Sequence, residues 1–146
     1  MTQLNPDILA ARLARVRVAL GRERLDALVL VHLPNIRYLT GFGGSAALAV
    51  LTPARLVFVT DGRYVTEVSQ AVQPLCPSLE LVKVETTYDE TLAQLVTGLG
   101  AERVGIEGAY LSVSRFNLLM SRLAAGAHAP ELVLADRVVE AERLRK

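Results

Sequence analysis

Asp26-Ala27-Leu28-Val29-Leu30-Val31 is the stretch on which the fold turns. Its apolar residues follow one another without a polar interruption, so the alternation of a half-exposed strand is missing. The run reads as a central strand covered on both faces. Upstream, Asn5-Pro6-Asp7 supplies an N-cap, a proline for the first turn and an acid for the positive end of a helix dipole. Ile8, Leu9, Leu13, Val16 and Leu20 then recur on one helical face, with Gly21 as the expected stop. Downstream, Pro34, Asn35, Gly41, Gly43, Gly44 and Ser45 mark an irregular polar stretch, followed by strands over Ala47–Leu51 and Leu56–Thr60. The turn Thr52-Pro53-Ala54-Arg55 between them is too short for a parallel crossover, so the pair is an antiparallel hairpin.

After Asp61-Gly62 the sequence predicts a helix over Tyr64–Val72, ended by Pro74 and Pro77. Strand and helix then alternate: a strand over Leu79–Val84, a helix over Tyr88–Leu99, a strand over Arg103–Glu107 and a helix over Ser112–Leu123. Leu92, Leu95, Val96 and Leu99 make the apolar face of the first of these helices; Val113, Phe116, Leu119 and Leu123 make that of the second. A short strand over Leu132–Leu134 precedes a terminal helix with Asp136 as its expected cap and Val138, Val139 and Leu144 as its apolar residues. This order predicts an α/β domain, a mixed sheet with helices on both faces. The last helix reaches Lys146 without Gly, Pro or a polar tail, and it reads as cut from a longer chain.

Composition bounds the function. A chain of 146 residues, 51% apolar and 21% charged, can bury roughly 70% of its unfolded surface as one domain, and disorder is excluded. The net charge of +1 offers no field for nucleic acid, an anionic membrane or an acidic substrate. All basic residues except Lys83 and Lys146 are arginine, and no run approaches about 18 uninterrupted apolar residues. A single cysteine and a polar, acidic N-terminus favour a cytoplasmic location.

Chemistry-bearing residues are sparse. His32 and His128 lie far apart in sequence, and only Glu131, three residues after His128, stands at ligand spacing from either, which argues against a metal site. Cys76 has no cation or histidine beside it, and Ser45 stands in no nucleophile elbow. Gly41-Phe42-Gly43-Gly44 precedes a strand rather than a helix, so a phosphate loop is a poor reading. Asp26, Asp61 and Glu107 all lie at strand ends and would make a carboxylate metal centre only if strand directions brought them together. Arg37-Tyr38 and Arg63-Tyr64 are expected at one edge of the sheet if their strands are parallel, with Asp61 and Arg63 equally able to serve as a structural turn.

Four motifs in register carry a resemblance. Leu25-Asp26-Ala27-Leu28-Val29, Asn35-Ile36-Arg37-Tyr38-Leu39-Thr40-Gly41-Phe42, Asp61-Gly62-Arg63-Tyr64 and Val104-Gly105-Ile106-Glu107 resemble the N-terminal domain of the creatinase, prolidase and aminopeptidase P metallopeptidases. The resemblance implies a mixed six-stranded sheet over residues 1–135, with 136–146 starting an inter-domain helix. It implies a catalytic pita-bread domain outside this chain, where two divalent ions (Mn²⁺, Co²⁺ or Zn²⁺) cleave Xaa-Pro bonds in proline-containing peptides. It implies no catalytic or metal-binding residue here, and a homodimer in which Tyr38, Phe42, Gly43, Gly44 and Ser45 help wall the partner subunit's active site. Arg37, Asp61, Arg63 and Tyr64 would support that edge, and Phe42→Ala would disturb dimer contact or KM while sparing metal binding. Arg24 stands where the family has glycine, which predicts a differently built turn, and the residues after Phe42 are unusually small. A creatinase-type amidinohydrolase would share this domain, and a free-standing protein-binding module is the rival reading.

Overall fold

A computed structural model describes residues 3–145. Thirteen elements follow the predicted rhythm with one addition: α1 (Pro6–Arg22), β1 (Ala27–Leu30), α2 (Leu33–Thr40), β2 (Leu48–Leu51), β3 (Leu56–Thr60), α3 (Val65–Glu67) running into a π-helical turn (Val68–Val72), β4 (Leu79–Lys83), α4 (Tyr88–Leu99), β5 (Arg103–Ile106), α5 (Val113–Ala124), β6 (Glu131–Leu134) and α6 (Arg137–Arg143). The sheet order is β4-β3-β2-β1-β5-β6. β2 runs antiparallel to β1 and β3, and the other pairings are parallel. One edge of the sheet therefore collects the C-terminal ends of every strand except β2, together with the loop that enters β2.

The central strand is as the sequence predicts, and its alternation serves two cores. Leu28 and Leu30 join Leu51, Leu56 and Phe58 beneath α1, α2 and α6, while Ala27 and Val29 join Val50, Val57 and Val59 beneath α4 and α5. The hairpin forms as expected: Thr52 N–H donates to the Arg55 carbonyl at 2.8 Å, and the Thr52 hydroxyl accepts from Arg55 N–H at 2.8 Å.

Four expectations need correction. The stretch around Pro34 is not irregular, because Leu33–Thr40 is helix, with Pro34 in the first turn where its missing N–H costs nothing. Gly21 does not stop α1, which runs to Arg22; Arg24 takes the left-handed conformation (φ 57°). A side chain carried in that conformation costs roughly 1–2 kcal/mol. Val113 does not join the apolar face of α5; it is 75% exposed, and Phe116, Leu119 and Leu123 do the packing. Asp136 does not cap its own helix, because its carboxylate turns back to accept from Ala109 N–H at 2.7 Å.

Candidate functional site

The loop entering β2 is shaped by two glycines. Gly41 closes α2 in the left-handed conformation (φ 82°), and its N–H donates to the Arg37 carbonyl at 2.8 Å. Phe42 then turns inward, 2% exposed, its N–H donating to the Thr40 hydroxyl at 3.1 Å. Its ring lies edge-on to Phe58 and Tyr64, with centroids 5.0 and 5.3 Å away. A side chain at Gly44 would overlap that ring, so position 44 is glycine because an aromatic lies against it. Gly43 and Ser45 are exposed, and the Ser45 hydroxyl pairs with the Tyr64 hydroxyl at 2.6 Å.

Beyond β3, Asp61 organises the next turn. Its carboxylate accepts from Arg63 N–H at 3.0 Å and, in a two-pronged pair, from Arg63 Nε at 2.9 Å and Nη2 at 3.0 Å. The Tyr88 hydroxyl, reaching in from α4, donates to the second oxygen at 2.5 Å. The Arg63 guanidinium and the Tyr88 hydroxyl hold the Asp61 carboxyl well below the usual carboxylate range, and the same pairing raises Arg63. The structural reading of Asp61 and Arg63 is the one the geometry supports. Tyr88, which the sequence reading placed only as a helix residue, is the partner it missed; its position directly after the Thr87 N-cap was the available signal.

A second cluster stands at the same sheet edge. The Glu107 carboxylate, buried at the end of β5, accepts from Val31 N–H at 2.6 Å, His32 N–H at 2.8 Å and Asn35 Nδ2 at 2.5 Å. His32 makes no side-chain cap, and an acid from another strand holds the two amides that lead into α2. Burial pushes the Glu107 carboxyl up, against the opposing pull of its donors. Asn35 passes the connection on, its Oδ1 accepting from Arg143 Nε of α6 at 3.0 Å.

The remaining candidates separate. Tyr38 and Arg37 lie on α2 rather than in the loop; Arg37 is exposed, and Tyr38 faces α1 and α6. Phe42 is a core residue, so any part it plays in a wall is to hold the loop's shape. Asp26 sits at the opposite sheet edge, accepting from Glu102 and Arg103 N–H at 3.0 and 2.9 Å, which ends the three-carboxylate reading. Cys76 is buried, and burial pushes its thiol up.

The sequence profile of the creatinase/prolidase N-terminal domain matches residues 12–145. The chain belongs to that family. It is 31% identical over 140 residues to a putative Xaa-Pro aminopeptidase of Mycoplasma pneumoniae, covering 94% of this chain and 35% of that protein. Among solved structures, it superposes on an Xaa-Pro dipeptidase from Bacillus anthracis with a TM-score of 0.80 and 25% identity, over 94% of this chain and 36% of that one. The N-terminal domain of the cytoplasmic peptidase PepQ from Mycobacterium tuberculosis superposes with a TM-score of 0.77 and 28% identity, over 90% and 97%. The chain spans between 16% and 35% of the length of the curated relatives it matches. As a creatinase/prolidase N-terminal domain it has the mixed six-stranded sheet that the resemblance implied.

The residues present do not fit the divalent ions that the family implies. Among the described residues no three His, Cys, Asp or Glu side chains converge on one point. The strand-end acids are engaged by Arg63, Tyr88 and backbone amides instead. No helix among the described residues is long and apolar enough to cross a membrane.

Proposed function

We propose that this chain is the non-catalytic N-terminal domain of a dinuclear-metal Xaa-Pro peptidase, a dipeptidase or aminopeptidase, supporting its homodimer and walling the partner subunit's active site. One observation carries the reading. The chain covers 97% of a separately solved peptidase N-terminal domain but only 35–36% of two longer Xaa-Pro peptidases. The ions and the hydrolytic step then belong to the remaining two thirds, and α6 leads towards it. The relatives' Xaa-Pro names favour a peptidase over a creatinase-type amidinohydrolase or a free-standing binding module.

The wall would be the exposed Gly43 and Ser45 with the half-buried Gly44 between them, backed by Phe42, Asp61, Arg63 and Tyr64, with Arg37 and Tyr38 on the helix behind. Gly43 has open space where a side chain would stand, so Gly43→Trp leaves the fold intact. In the whole peptidase that variant is expected to raise KM for Xaa-Pro peptides by about tenfold, a loss of about 1.4 kcal/mol in binding, with bound metal unchanged. An unaltered KM would remove this loop from the wall.

A further inference from the structure

The free edge of the sheet beyond β6 has no part in that wall. β6 pairs with β5 on one side and, among the described residues, with no strand on the other. Edge strands are usually guarded by charge, because unpaired backbone invites another chain. β4, at the opposite edge, follows that rule: Glu80 within the strand pairs with Arg55 at 2.9 Å, and Lys83 ends it. β6 does not. After Glu131, which Arg103 holds at 2.8 Å, it reads Leu132-Val133-Leu134, and Leu134 is 73% exposed.

A groove runs beside that edge. Ala19 of α1, Leu25 of the turn after it, Val133 and Ala135 at β6, and Val138 and Ala141 of α6 line a cavity of about 490 Å³. Ala19, Leu25 and Ala135 are buried, Val133 and Val138 are half-buried, and Ala141 is exposed. Three residues further along, Leu144 is 61% exposed. Groove and edge share Val133 and Leu134, so they form one continuous apolar surface, the pattern of a face made to be covered.

The occupant follows from what α6 is joined to. The family is by description an N-terminal domain, and the chain covers 97% of one such domain solved separately but 36% of the B. anthracis dipeptidase. In a protein of that length the polypeptide continues from α6, and α6 itself forms a wall of the groove. A segment tethered there by a short link meets the groove at a roughly millimolar effective concentration, which favours it over a second copy of the chain. We propose that the groove and the β6 edge seat an apolar segment of the domain that follows α6 in the same polypeptide. The proposal rests on the peptidase reading and adds to it the surface through which the two parts hold together.

The test is hydrogen exchange, followed by mass spectrometry over residues 131–145, in the 146-residue chain and in the full-length peptidase. The full-length protein should exchange this stretch about tenfold or more slowly than the chain alone. Leu134→Arg and Ala141→Arg, both at exposed positions, should abolish that gain while leaving exchange in the chain alone unchanged. Val113→Arg, as exposed but on α5, which lines no part of the groove, should keep the gain. Unaltered exchange over residues 47–60, the β2–β3 core, shows that each variant is folded. No gain in the full-length protein, or an equal loss from Val113→Arg, overturns the proposal. So does a loss of subunits in sedimentation velocity when Leu134→Arg is introduced, which assigns the surface to a second copy. A gene product no longer than this chain ends the peptidase reading itself, whereas a longer one without the gain refutes only the docking.

Discussion

Glu107→Ala is expected to destabilise the domain by about 3–5 kcal/mol, because three donors lose one acceptor at a cost of about 1–3 kcal/mol each. Three donors lose their acceptor at once: Val31 N–H, His32 N–H and Asn35 Nδ2. The first two lie at the junction between β1 and α2, which has no local cap, so the N-terminus of α2 should fray. Asn35 also loses what orients it towards Arg143, which loosens α6. Urea unfolding should show a lower midpoint with an unchanged slope. A loss below about 1 kcal/mol would mean that the donors find other partners and that Glu107 does not hold this corner.

Glu107→Gln separates charge from contact. A carboxyl raised by burial stabilises the fold fully below its unfolded pKa, and that contribution is lost as pH rises through the folded value. Asp61, Glu80 and Glu90 are lowered by their arginine partners and act oppositely, their contributions fading as pH falls through the folded values. The gap in stability between the parent sequence and Glu107→Gln should therefore narrow as pH rises from the carboxylate range towards neutrality.

Phe42→Ala is expected to cost about 3–5 kcal/mol, as truncating a buried phenylalanine does. The ring's contacts with Phe58 and Tyr64 disappear, and a cavity opens beside Gly44. In a domain of this size the melting midpoint should fall by roughly 10–20 °C. The resemblance alone implied a change in dimer contact or KM with metal binding spared. Burial of Phe42 makes stability the primary readout, with any effect on KM secondary to the displaced loop. An unchanged midpoint would mean that the ring is not the core residue described here.

What was legible in the sequence was what is encoded locally. The central strand, the hairpin and α1, α4 and α5 each carry their own periodicity, caps or turn residues. α2 does not. Pro34 reads as a breaker, His32 offers no cap, and the acid that completes the helix comes from β5, some seventy-five residues later. The Phe42 loop misleads for a related reason: its glycines suggest an open, exposed loop, yet Gly44 is small to let a ring pack inward. Asp61 and Arg63 were readable because both partners lie within three residues, whereas Tyr88 reaches them only through the tertiary fold.

The central claim is that this domain is one part of a larger peptidase, and the mass of the native gene product tests it most directly. An antibody raised against this chain should detect, in the source cells, a protein about three or more times its 15.8 kDa, since the chain makes up 16–36% of the longer peptidases it resembles. A band at 15.8 kDa alone would contradict the account, leaving a protein with no catalytic domain for this one to serve.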